Sequence, residues 1–300
     1  MTSVVDVLGV RVSAIDRDGA MHEISRWVDH DAREYVCVTG VHGVIESQKD
    51  PELAAIHNAA GLVVPDGMPL VWCGRLAGAG DMSRVYGPDL MLEVCGAHIE
   101  EGWRHFLYGA SPGVSDELSA RLRARFPGIE IAGVHSPPFR DLTDDEIIAD
   151  TAMINQSGAT VVWVGLSTPK QERWMARARG LLDAPVLIGV GAAFDMHAGR
   201  VRQAPIWMRR SGLEWLFRLA IEPRRLWRRY ATIIPTFMWK ILWDRPVLSI
   251  EQSPLETWPN AGTGSEGRTR VGEANTASVA PESGGGTGIV RRANSGGRET

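Results

Sequence analysis

Short apolar, β-branched-rich runs alternate with longer amphipathic stretches along most of this 300-residue chain, and that alternation limits the fold more than any other feature. The runs fall at 4–12, 35–39, 61–64, 104–108, 129–134, 160–165 and 185–190. Helix signals lie between them. Ser111-Pro112 reads as an N-cap followed by proline in the first helical position. Thr143-Asp144-Asp145-Glu146 has the form of a capping box, the threonine bonding forward and the glutamate reaching back. Strands alternating with helices predict a Rossmann-like α/β fold, a largely parallel sheet with helices on both faces. The unbroken apolar character of 160–165 and 185–190 fits strands buried on both sides. Ligands of such sheets bind beyond the carboxyl ends of the strands, so chemistry is expected in the loops that follow them.

Several classes are excluded. Cys37, Cys73 and Cys95 are odd in number, far apart and set in apolar surroundings, which argues against a disulfide framework or a cysteine zinc site and fits a reducing compartment. The first residues lack a basic stretch leading into an apolar one, and no run of eighteen apolar residues occurs, so neither a secretory signal nor a spanning helix is expected. Asp16-Arg17-Asp18 and Asp29-His30-Asp31 have an Asp-x-Asp spacing that also serves metal-dependent sugar transferases. The first heads a predicted helix, where acids complement the dipole, and the second closes it. No metal is expected from them.

Four loops after strands could carry chemistry. Pro65-Asp66-Gly67-Met68-Pro69 sets a carboxylate at a strand end; Asp66 could act as a general base, or the segment could be an ordinary turn. In Gly165-Leu166-Ser167-Thr168-Pro169-Lys170-Gln171-Glu172, residues Thr168, Pro169 and Gln171 fit N-cap, N1 and N3 of a capping box, and the helix they open could hold an anion such as a nucleotide diphosphate. Tyr108-Gly109-Ala110-Ser111-Pro112-Gly113 is a glycine-bearing turn but neither a full dinucleotide fingerprint nor a P-loop. Gly189-Val190-Gly191-Ala192-Ala193 offers small residues where a ligand or a neighbouring helix can come close.

From Arg200 to Arg245 the composition changes. Arg200, Arg202, Arg209, Arg210, Arg218, Arg224, Arg225, Arg228, Arg229, Lys240 and Arg245 face only Glu214, Glu222 and Asp244, and Trp207, Trp215, Trp227, Trp239 and Trp243 stand among them. After Pro223 the apolar residues Leu226, Tyr230, Ile233, Ile234 and Phe237 recur at helical spacing, with Arg224, Arg225, Arg228 and Arg229 on the other side. Such a helix suits a membrane surface or lipid phosphate, packing against the main domain, or nucleic acid. Beyond about residue 250 the chain is rich in Gly, Ser, Thr and Glu, a composition that predicts disorder. The expected division is an α/β domain over 1–199, a basic helical appendage over 200–248 and a disordered tail over 249–300.

The chain resembles the WecG/TagA/CpsF glycosyltransferases (glycosyltransferase family 26). The resemblance is carried by Pro65-Asp66-Gly67-Met68-Pro69-Leu70-Val71-Trp72, Tyr86-Gly87-Pro88-Asp89-Leu90, Gly165 to Glu172, Gly189 to Asp195, and Arg202-Gln203-Ala204-Pro205-Ile206-Trp207 through Gly212-Leu213-Glu214-Trp215-Leu216-Phe217-Arg218, in the family's order. It implies an inverting, metal-independent transfer of an N-acetylmannosamine-type or related hexose from a UDP-sugar to an undecaprenyl-diphosphate-linked sugar at the cytoplasmic face of the membrane, without a cofactor. The family's catalytic base falls on Asp66 and its active-site glutamine on Gln171, and its lipid-diphosphate arginines match Arg218, Arg225 and Arg228. The remaining contacts expected to substrate are Thr39, His42, Gly109, Thr168 and Gly191. One departure bears on the donor sugar: relatives carry Thr-x-Asn after an early strand, whereas this chain has Thr39-Gly40-Val41-His42, which lacks the amide and sets His42 near its space. The partners implied are a UDP-sugar, a polyprenyl-diphosphate acceptor and the inner membrane surface, with no nucleic acid; self-association stays open. The competing readings are a nucleotide-cofactor oxidoreductase or epimerase, for which the first turn Ala14-Ile15-Asp16-Arg17 lacks the glycine fingerprint, and a non-enzymatic membrane adaptor.

Overall fold

The structure is a computed structural model and describes residues 2–251. The chain divides into two units, Met1–Trp258 and Pro259–Thr300; the second lies outside the described residues, as does the predicted disorder of 252–300. The boundary drawn at residue 249 falls inside a strand.

The chain opens with an antiparallel hairpin, β1 (Thr2–Val7) and β2 (Val10–Ser13), where one strand over 4–12 is predicted. Leu8 and Gly9, at φ 56° and 81°, make the two-residue turn with both central residues left-handed that matches strand twist, and Asp6 Oδ1 accepts the Gly9 N–H at 2.8 Å. Helix α1 (Arg17–Asp29) follows, with Asp16 as its N-cap accepting the Gly19 N–H, so that acid pair serves the helix start as expected. Then come β3 (Glu34–Thr39), α2 (Val41–Ser47), α3 (Pro51–Asn58), β4 (Leu62–Pro65), α4 (Met68–Leu76), α5 (Gly87–Ala97), β5 (Arg104–Gly109), α6 (Val114–Arg125), β6 (Glu130–His135), α7 (Asp144–Ser157), β7 (Val161–Gly165), α8 (Lys170–Ala178), β8 (Val186–Gly189) and α9 (Ala193–His197). The Arg/Trp segment forms α10 (Ile206–Arg210), α11 (Glu214–Ile221) and α12 (Pro223–Trp243), and β9 (Val247–Glu251) returns to pair antiparallel with β1.

Strands β3 to β8 form one wholly parallel sheet in the order β4-β3-β8-β7-β5-β6. Successive residues point to opposite faces, and both faces are dry. Tyr35, Cys37, Val162, Val164 and Leu187 pack with α2, α7, α8 and α12; Val36, Val161, Trp163, Val186 and Ile188 pack with α1, α5, α6 and α9. The helix after β3 therefore covers one face and the helix after the adjacent β8 the other. That divergence opens a crevice at the carboxyl ends of β3 and β8.

Three local expectations are modified. The Thr143 capping box is present, with both of its hydrogen bonds. Helix α6, however, starts at Val114 with left-handed Gly113 as N-cap, so Ser111-Pro112 lies in the preceding turn. Helix α8 starts at Lys170 with Pro169 as N-cap and no side-chain cap, because the Thr168 hydroxyl is bonded to Glu172 instead. The apolar stripe of α12 also resolves: Leu226, Ile233 and Phe237 are buried, whereas Trp227, Met238, Trp239, Leu242 and Trp243 are exposed. The stripe read from spacing is thus mainly a packing face, and a second apolar set points to solvent. Among the described residues, no helix is long and apolar enough to cross a membrane.

Gly109 shows how tightly the strand ends pack. Its φ is 122°, and a Cβ there would lie 2.7 Å from the Gly165 backbone on β7. Gly109→Ala is expected to cost about 2 kcal/mol or more, through both the backbone conformation and the contact. Urea unfolding followed by circular dichroism would show the midpoint falling.

Candidate active site

Asp66 sits at the end of β4 and is half-buried. Its amide donates to the Thr39 carbonyl at 2.9 Å, tying the ends of β3 and β4 together, and its Oδ1 accepts the Gly87 N–H at 3.1 Å. Beside it lies Arg84. Its Nε donates to the Asp66 carbonyl, Nη1 to the Arg209 carbonyl at 3.1 Å and Nη2 to Glu214 Oε2 at 2.5 Å. Tyr86 donates to Glu214 Oε1 at 3.0 Å, and the Arg84 guanidinium covers its ring at 4.1 Å. Arg209 is fixed by both oxygens of Asp89, at 3.1 and 3.2 Å. The start of α11 is in this way locked onto the rim of the sheet.

Burial raises the Asp66 carboxyl above its ordinary value; Arg84 opposes this, Glu214 adds to it, and the Gly87 bond and Arg218 pull the other way. A carboxylate held at a raised pKa is a better proton acceptor than an exposed one. The charge of Arg218 is thus felt at the Asp66 carboxyl. The Arg218 side chain makes no hydrogen bond or ion pair among the described residues.

The second cluster surrounds α8. Gln171 is 3% exposed, and its Nε2 donates to Glu172 Oε1 at 3.1 Å; the same oxygen accepts the Thr168 hydroxyl at 2.8 Å. Gln171 Oε1 and Glu172 Oε2 are enclosed and have no partner. The glutamine amide lies over the end of β8: a Cβ on Gly189 would stand 3.2 Å from its Nε2, and one on Gly191 3.3 Å from its Oε1. Gly191 has φ 51°, in the left-handed region. Next to this helix a cavity of about 470 Å³ has an apolar wall from Ile56, Ile147, Leu166 and Trp174 and a basic rim that includes Lys170 and Arg173.

Other predicted contacts are placed differently. The Thr39 hydroxyl is buried and bonded to His57 Nε2 at 3.0 Å, so it is the carbonyl of Thr39 that reaches the Asp66 corner. The Gly109 carbonyl is held by the hydroxyls of Ser115 and Ser136, at 2.7 and 3.1 Å, and its close approach is to Gly165. The Thr168 hydroxyl is engaged by Glu172. His42, on the first turn of α2, is held below its ordinary value first by burial and then by the charge of Arg229 on α12. Arg228 is exposed, with its guanidinium 5.4 Å from the Trp227 ring. Arg225 falls on α12, but its side chain lies outside the described residues. Among the described residues, no group of three His, Cys, Asp or Glu side chains could hold a metal ion.

The Glycosyl transferase WecG/TagA/CpsF family model matches residues 5–249. The chain belongs to this family. An N-acetylglucosaminyldiphosphoundecaprenol N-acetyl-beta-D-mannosaminyltransferase of Bacillus spizizenii is 31% identical over 223 residues, 74% of this chain and 83% of the relative. A protein of the same description from Bacillus subtilis is 33% identical over 185 residues, 62% and 70% of the two chains. Membership makes the protein a glycosyltransferase and removes the oxidoreductase, epimerase and adaptor readings. The family match ends at 249, so α10, α11 and α12 lie within it.

Sequence reasoning missed Arg84, Tyr86, Glu214 and Glu172 as parts of the site. Tyr86 and Glu214 lie in segments that carry the family resemblance, but nothing in spacing links Arg84 to a residue 130 positions away. The Arg84–Glu214 pair, each side chain 14% exposed, holds α11 to the sheet. Arg84→Ala should therefore loosen α10 and α11, leaving Glu214 without its cation. Limited trypsin digestion is expected to cut between Arg202 and Arg229 about tenfold faster than in the parent; unchanged cleavage would mean the pair does not hold the helix.

Proposed function

We propose that this glycosyltransferase moves an N-acetylmannosamine-type hexose from a UDP-sugar to an undecaprenyl-diphosphate-linked sugar, by inversion and without a metal, at the inner face of the cell membrane. The observation that carries the reading is Asp66 at the carboxyl edge of the sheet, its carboxyl raised by burial, one oxygen bonded to the Gly87 N–H, and Arg218 close enough to act on its charge; among the described residues the Arg218 side chain has no hydrogen bond or ion pair. The printed activity of the two Bacillus relatives supplies the substrate class.

In this reading Asp66 takes the proton of the acceptor hydroxyl as that oxygen bonds to the anomeric carbon. The bond from that carbon to the UDP oxygen breaks on the opposite side, and UDP leaves with the electron pair. Charge growing on the diphosphate is met by the free N–H groups at the start of α8 and by arginines of the appendage. The cavity beside α8 is the place for the nucleoside, its apolar wall taking the base and its basic rim the phosphates. Arg218, with Arg225 and Arg228 on α12, receives the acceptor's diphosphate through bidentate guanidinium contacts. The exposed Trp227, Trp239 and Trp243 with Met238 and Leu242 are the surface that meets the lipid interface, beside exposed Arg224 and Arg228. The product feeds assembly of a cell-surface polysaccharide.

Three measurements test this. Asp66→Asn should abolish transfer while leaving UDP affinity nearly unchanged by calorimetry. Because burial raises the folded-state pKa above the unfolded one, the group's stabilising contribution is fully present below the unfolded pKa and is lost as pH rises through the raised value, so that at pH 7 the ionised carboxylate costs stability. The Asn variant should therefore melt at pH 7 no lower than the parent, which separates loss of chemistry from loss of fold. For the same reason kcat/KM should fall as pH drops through the raised Asp66 value, above the range where an exposed aspartate would titrate, and an acid limb at the ordinary carboxylate position would remove Asp66 as the base. Finally, replacing Trp239 and Trp243 together with Glu should lower sedimentation with anionic-lipid vesicles about tenfold or more, while leaving turnover of a short-chain, water-soluble acceptor near the parent's.

A further inference from the structure

Helix α8 buries two consecutive polar side chains, Gln171 at 3% and Glu172 at 0% exposure, although neighbours in a helix point about 100° apart. Burying both is costly unless each is bonded, yet Gln171 Oε1 and Glu172 Oε2 have no partner. The bonds that are present have a direction. A carboxylate only accepts, so the end of the Gln171 amide that meets Glu172 Oε1 at 3.1 Å is its NH2 group. The carboxylate is itself anchored by the Thr168 hydroxyl at 2.8 Å. The amide carbonyl must then point the other way, toward the left-handed turn at Gly191, where a Cβ would come within 3.3 Å of it.

We infer that Glu172 is a positioning residue that sets the Gln171 amide with its carbonyl oxygen toward the donor, where it accepts a hydrogen bond from a hydroxyl or N–H of the nucleotide sugar. Glu172 has no exposed surface and acts only through Gln171. The glycines of β8 and its loop leave the space that the amide and the ligand share. This role explains why Thr168 is diverted from capping the helix: its hydroxyl fixes the carboxylate that fixes the amide. The inference rests on the reading of Gln171 as a substrate contact in sugar transfer.

Glu172→Leu keeps most of the bulk but removes the acceptor of the Gln171 NH2 group, so nothing holds the amide with its carbonyl toward the donor. A double-mutant cycle measures the coupling, using Glu172→Leu, Gln171→Ala and the pair, with UDP-N-acetylmannosamine and a short-chain polyprenyl-diphosphate N-acetylglucosamine. Glu172→Leu alone should lower kcat/KM on the order of 10- to 100-fold. In the Gln171→Ala background the same change should have no further effect. Independently of turnover, the side-chain NH2 protons of Gln171, followed by NMR hydrogen exchange, should exchange about tenfold faster or more in Glu172→Leu. If Glu172→Leu does not fold, Thr168→Val, which frees the same carboxylate, should give smaller changes in the same directions. Additive losses in the cycle, or unchanged Gln171 exchange, overturn the inference and leave the proposed function standing. No effect of Gln171→Ala on transfer overturns the inference together with the role of Gln171. A parent that transfers from no UDP-sugar overturns the proposed function, and the exchange measurement then decides the Glu172–Gln171 bond alone.

Discussion

The guanidinium of Arg84 is the joint on which the Asp66 corner turns. Its three nitrogens donate to the Asp66 carbonyl, the Arg209 carbonyl and the Glu214 carboxylate. No hydrogen bond from it reaches the Asp66 carboxylate, which keeps an oxygen available and a raised pKa. Had Arg84 formed a bidentate pair with that carboxylate, the acid would have been pulled down and its lone pairs occupied. Glu214 prevents this by holding the far end of the guanidinium. A helix of the C-terminal segment thus conditions the Asp66 carboxyl at the end of β4, and the two belong to one electrostatic unit.

The rest of the site depends on how closely the strand ends approach. Gly109 against Gly165, and Gly189 and Gly191 against Gln171, are contacts that a side chain would break. They pull β5, β7 and β8 together at the edge where α8 begins, so the two clusters, Asp66 with Arg218 and Gln171 with Glu172, open on the crevice where helices leave on opposite faces. One cluster carries a raised carboxyl beside a cation, the other a helix N-terminus and an enclosed acceptor oxygen. The proposed transfer from a nucleotide-sugar donor to an anionic acceptor calls for these features on either side of one anomeric carbon.

The Arg/Trp segment has two faces with separate duties. Ile233 and Phe237 tie α12 to the core on one face of the sheet, Leu226 is buried beside them on the helix, and β9 closes the arrangement by pairing with β1. The tryptophans that remain exposed lie on the side away from that packing. A single helix can dock and still present an apolar, basic surface because 3.6 residues per turn leave room for two stripes.

Much of this was legible in the chain. Alternating periodicity located every strand of the main sheet, since a strand buried on both faces must be apolar throughout, and the ordered motifs around Asp66 and Gln171 pointed to the family. The Thr143 capping box could be read because its bonds span three residues. The hairpin at Leu8-Gly9 and the true starts of α6 and α8 were not, because each turns on a backbone angle or a side-chain bond with a competing partner. Thr168 looks like a cap until Glu172 is seen beside it. The Arg84–Glu214 pair, the charge of Arg229 felt at His42 and the buried contact of Thr39 with His57 join residues apart in sequence. Sequence by itself determined where the strands of the main parallel sheet run, because periodicity is local. Tertiary structure alone decided which polar groups are free to meet a substrate, because a hydroxyl, amide or guanidinium is available only when no distant neighbour has already claimed it.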